Sequence, residues 1–95
     1  MVFDLSQITG LGPYVAKPEK HRTLYFKQDK AFLVVNKNTI ELRTDPLLAD
    51  NLITKYESVM ESRYFGKGGI EIVLADQLNQ QELEDLIRLS YNMTQ

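Results

Sequence analysis

The chain has 95 residues, an apolar fraction of 43%, a charged fraction of 25% and a formal net charge of −2. That describes a single folded domain with one modest core rather than a disordered tail or a strongly basic nucleic-acid binder. It contains no cysteine, which excludes disulfides, thiol catalysis and cysteine-held zinc, and fits a reducing cytoplasm.

The opening MVFDLSQITG has an acid near its start and no long apolar stretch, so it does not read as a signal peptide. No apolar run approaches the ~18 residues of a membrane span. Residues 1–20 read as a short N-terminal element and a loop. Asp4 or Ser6 could cap one helical turn, and Gly10, Gly12, Pro13 and Pro18 break anything longer.

Three strands follow. Thr23–Lys27 is rich in β-favouring residues, Ala31–Val35 is continuously apolar, and Thr39–Arg43 alternates with Ile40 and Leu42 inward. Gln28-Asp29-Lys30 and Asn36-Lys37-Asn38 are the turns between them, giving an antiparallel meander. Asp45-Pro46 opens a helix, with Asp45 as N-cap and Pro46 at the first helical position. Leu48, Leu52 and Tyr56, with Ala49 and Ile53 beside them, form its apolar stripe over ten to twelve residues.

Glu57–Ser62 reads as irregular. Then comes RYFGKGG, residues 63–69, which holds three of the five glycines, two aromatics and two cations. It fails the Walker pattern, because position 61 is Glu and position 68 is Gly. It fails the dinucleotide fingerprint, because position 71 is Glu. Ile70, Ile72 and Leu74 make a fourth strand, entered through those glycines. Ala75–Leu78 turns the chain, and Asn79 with Glu82 starts a last helix. Leu83, Leu86, Ile87, Ser90 and Tyr91 share its inner face, and Glu84, Asp85, Arg88 and Asn92 the outer. The expectation is an α+β two-layer sandwich, β-β-β-α-β-α, with both helices on one face of an antiparallel sheet, in one domain over residues 1–95.

Catalytic signals are weak. His21 is the single histidine and stands between Lys20 and Arg22. None of the four serines lies in G-x-S-x-G. The acidic first turn of the last helix, Glu82, Glu84 and Asp85, suits the helix dipole rather than a metal. The reading is therefore no enzyme, no cofactor and no metal.

Charge is uneven. Residues 1–40 hold six Lys/Arg against three Asp/Glu, a net of +3, while residues 41–95 hold five against ten, a net of −5. Lysines on hairpin tips can meet phosphates or simply protect sheet edges. The candidate nucleic-acid contacts are Lys30 and Lys37 on turns and Arg63 and Lys67 in RYFGKGG, with Tyr64 and Phe65 able to stack on bases. The alternative is a protein-interaction module or homodimer.

ELRTDP, residues 41–46, followed by a helix, an irregular segment, a strand and then LEDLIRLSY, residues 83–91, resembles the MmcQ/YjbR-like family. Leu86, Ile87, Ser90 and Tyr91 match its terminal Leu-Ile-x-x-Ser-Tyr pattern, and the similarity covers roughly residues 22–93. Family members begin with a longer helix carrying a Cys and place a Trp after the irregular segment; this chain has neither residue. The resemblance implies a CyaY-like fold and DNA binding through a double-winged surface. It carries over no binding residues, and Ser90 and Tyr91 read as structural, with the Tyr91 hydroxyl needing a partner.

Overall fold

The computed structural model describes residues 5–74 and 79–94. Its elements are a 3-10 turn at Leu5–Gln7, β1 (Val15–Pro18), β2 (Arg22–Lys27), β3 (Lys30–Asn36), β4 (Thr39–Arg43), α1 (Pro46–Lys55), β5 (Val59–Ser62), β6 (Gly66–Val73) and α2 (Gln80–Met93). The strands form one antiparallel sheet in the order β1-β2-β3-β4-β6-β5. Helix α2 packs on β3 and β4, and α1 on β5 and β6. The fold is thus α+β with both helices on one face.

Two strands were not expected. β1 lies in the supposed N-terminal loop and β5 in the supposed irregular segment. Both are four-residue edge strands, and each pairs with a single neighbour that supplies its register. The two hairpin turns are also tighter than expected: Lys27 pairs with Lys30 around Gln28–Asp29, with Gln28 at φ 58°. The cap expected at Asp4 and the turn at Ala75–Leu78 lie outside the described residues.

Local signals explain the helices. The Asp45 carboxylate accepts from the Leu48 N–H at 2.8 Å, and Pro46 opens α1. The Asn79 side chain accepts from the Glu82 N–H at 2.8 Å. Glu82 does not close a capping box; its carboxylate accepts from the Tyr56 hydroxyl and ties α2 to the end of α1.

The main core lies between sheet and helices. Leu33, Ile40, Leu42, Ile70 and Ile72 meet Ala49, Leu83, Ile87 and Tyr91 there. A bulge in β3 sharpens this packing. Tyr25 pairs with Leu33 and Phe26 with Ala31, so Phe32 is the extra residue, and both Phe32 and Leu33 are buried in the core. Ser90 joins α2 to the sheet, accepting from the Arg43 N–H at 2.8 Å and donating to the Phe32 carbonyl at 2.6 Å. The Tyr91 hydroxyl donates to the Pro13 carbonyl at 2.9 Å. No described helix is long and apolar enough to cross a membrane.

Candidate functional site

The sheet face remote from the helices carries the unusual chemistry. One cross-strand row runs Lys17, Leu24, Val34, Glu41, Glu71 and Met60 through all six strands. Alternation puts Glu41 and Glu71 outward, between apolar residues that face the core. Yet each is only 2% exposed, and they sit directly opposite each other on β4 and β6. Two like charges in such a position repel.

Each carboxylate has its own set of donors. Glu71 receives Arg63 Nε at 3.0 Å, Arg63 Nη2 at 2.8 Å and the Thr39 hydroxyl at 2.8 Å. Glu41 receives Asn36 Nδ2, the Ser62 hydroxyl and the Tyr64 backbone N–H, all at 2.9 Å. The Asn36 amide also donates to the Thr39 hydroxyl, which joins the two sets into one network. Burial pushes the Glu41 carboxyl up, but the donors Asn36, Tyr64 N–H and Ser62, with the nearby Arg63 charge, outweigh it and hold it below its ordinary value. Glu71 raises the Arg63 pKa, first through the hydrogen bond and then through its charge.

This network explains RYFGKGG. Glu41 fastens the β5–β6 turn at Ser62 and Tyr64, and the Ser62 hydroxyl in turn accepts from the Phe65 N–H at 2.8 Å. Gly66 and Gly68 lie at φ 71° and 89°, a region other residues avoid. Gly69 passes so close to the turn that a Cβ there would stand 2.6 Å from the Phe65 Cβ. The glycines therefore fold the hairpin back over the sheet and bring its aromatics onto the open face.

A concavity of 540 Å³ results, lined by His21, Arg22, Asn36, Lys37, Glu41, Arg63 and Tyr64. The Arg22 guanidinium lies 5.4 Å from the Tyr64 ring centroid, and Tyr64 meets Phe65 edge-on at 4.9 Å. Arg43 covers Phe65 at 4.8 Å, behind the turn. Arg63 is 77% exposed although two of its nitrogens are held by Glu71. Lys37 has no hydrogen-bond or ion-pair partner among the described residues.

The four candidate cations do not form one surface. Lys37 and Arg63 share the concavity. Lys30 stands at the other end of β3, roughly 20 Å away at the usual strand rise. Lys67 lines a separate 150 Å³ pocket with Arg43, Thr44, Phe65, Gly68, Gly69 and Met93. Turn tips at opposite ends of one strand lie a full strand length apart and cannot line one concavity, which is why two lysines read together in sequence come apart in space. Arg22, Asn36 and the two glutamates complete the site and were not singled out. Their sequence signal was an acid between branched apolar residues in two strands, Ile40-Glu41-Leu42 and Ile70-Glu71-Ile72. Among the described residues, no three His, Asp or Glu side chains gather as a metal site requires.

No family model and no curated protein matches the chain. A crystal structure of a protein from Pseudomonas syringae, solved as a structural genomics target, is similar to it with a TM-score of 0.72 and 19% identity, over 86% of this chain and 87% of that one. That likeness establishes the α+β fold.

Proposed function

We propose that this chain is a non-catalytic, cytoplasmic nucleic-acid-binding domain of the MmcQ/YjbR-like type, with a CyaY-like arrangement of its sheet and helices. It binds DNA weakly through the open sheet face, mainly by phosphate contacts. One observation carries the reading: Arg22, Lys37 and Arg63 converge with an exposed tyrosine on a face that no helix covers. Cations that hold phosphates beside a ring that can meet a base are the usual elements of such a surface. Lys30 and Lys67 lie outside it and contribute only long-range attraction.

Titration of labelled DNA with the protein tests this. Two phosphate contacts, on Lys37 and Arg63, imply a loss of affinity of about twelve-fold between about 50 and 200 mM salt. Lys37→Glu weakens binding and lowers the salt slope by about one. Lys30→Glu, at the far end of β3, leaves the slope unchanged. Absence of binding at low salt removes the reading.

A further inference from the structure

We propose that the concavity takes one unpaired nucleotide, with its base against the Tyr64–Arg22 pair and its phosphate on Arg63 and Lys37, so that the domain prefers single-stranded to duplex DNA. This rests on the reading of the open face as a nucleic-acid surface. A volume of 540 Å³ falls within the range of pockets that enclose a small organic molecule, and a nucleotide is of that size. A base pair inside a duplex has its faces stacked on its neighbours and cannot offer one to Tyr64; an unpaired base can.

The charges decide which end of the nucleotide goes where. Glu41 lines the concavity and is 2% exposed, so a phosphate placed deep would meet its carboxylate. The cations without a full set of partners are at the rim. Among the described residues Lys37 has no partner, and Arg63 commits Nε and Nη2 to Glu71 while Nη1 makes no hydrogen bond. The phosphate therefore stays at the rim and the base goes inward. There it meets the Tyr64 ring, which is 40% exposed, and the Arg22 guanidinium beside it. Asn36 lines the same wall; its amide nitrogen is committed to Thr39 and Glu41, which leaves its carbonyl oxygen to accept from a base N–H such as the N3–H of thymine.

The site is also preorganised. Glu41 pins the Tyr64 backbone and Glu71 clamps Arg63, so little side-chain freedom is lost on binding.

Fluorescence anisotropy with three labelled probes tests the proposal: a fifteen-residue oligothymidine, an abasic strand of equal length, and a mixed-sequence duplex. The oligothymidine binds about tenfold more tightly than the abasic strand, the difference expected from one stacked base. The duplex also binds more weakly than the oligothymidine. Tyr64→Leu, which keeps an apolar side chain over the turn, removes most of the oligothymidine's advantage, and Tyr64→Phe keeps it. Equal affinity for the abasic strand and the oligothymidine overturns the proposal, as does a preference for duplex. In either case the phosphate-binding face still stands, whereas failure of every probe at low salt removes that face as well.

Discussion

Removing a carboxylate from water costs several kcal/mol unless other groups replace the lost hydration. Glu41 recovers that cost from Asn36, Ser62 and the Tyr64 N–H, and its pKa falls below the ordinary value despite burial. A depressed folded-state pKa means that the stabilisation is present above the unfolded carboxylate range, about 4.3, and disappears as pH falls through the folded value. Thermal melts between pH 7 and pH 3 should therefore show an acid loss of stability that Glu41→Gln reduces. At pH 7 the same substitution costs about 1–3 kcal/mol, since the new amide offers donors to groups that already donate. A variant equal to the wild type at both pH values would mean that Glu41 does not hold the turn. Glu71 differs in having a cation, Arg63, directly on it. The two glutamates look equivalent in sequence, and only their neighbours separate a turn anchor from an arginine clamp.

Among the elements, the β5–β6 hairpin departs furthest from a simple strand pair. Ser62 pairs with Gly66 but Glu61 with Ile70, so residues 67–69 are extra on β6. This displacement throws the aromatics of the turn over the open face. Its glycines serve distinct needs. A Cβ on Gly66 meets nothing within 4 Å, so Gly66→Ala bears only the cost of a positive φ, about 1–2 kcal/mol. A Cβ on Gly69 collides with the Phe65 Cβ and crowds the Ser62 Cβ and the Leu42 carbonyl. Gly69→Ala should destabilise by about 1–3 kcal/mol through overpacking and should also disturb the concavity. Chemical denaturation of the two variants, with DNA binding measured beside it, checks the distinction: Gly66→Ala loses stability alone, Gly69→Ala both. In RYFGKGG the need for glycine was legible from the run itself. The direction in which the turn folds was not, because it depends on a carboxylate twenty-odd residues earlier in the chain.

At the scale of the whole molecule, the sheet ends in two four-residue edges. β1 closes on Pro18, which has no N–H to offer an added strand, and Lys17 stands beside it. Although Val15 is 64% exposed, this edge is too short and too interrupted to favour strand pairing between copies. Light scattering at rising protein concentration should show one species near 11.0 kDa; a stable dimer would revive self-association as the domain's use of this edge. By itself the sequence determined the meander, both helix starts, the inner face of α2 and the placement of both helices on one side, because hydrophobic period and capping residues act within a few positions of themselves. The tertiary structure decided the rest: that 15–18 and 59–62 are strands, that Glu41 and Glu71 are buried, and that Arg22, Lys37 and Arg63 meet while Lys30 and Lys67 do not. Those outcomes depend on which strands become neighbours and on what the hairpin folds over, and such long-range pairings leave no local pattern in the chain.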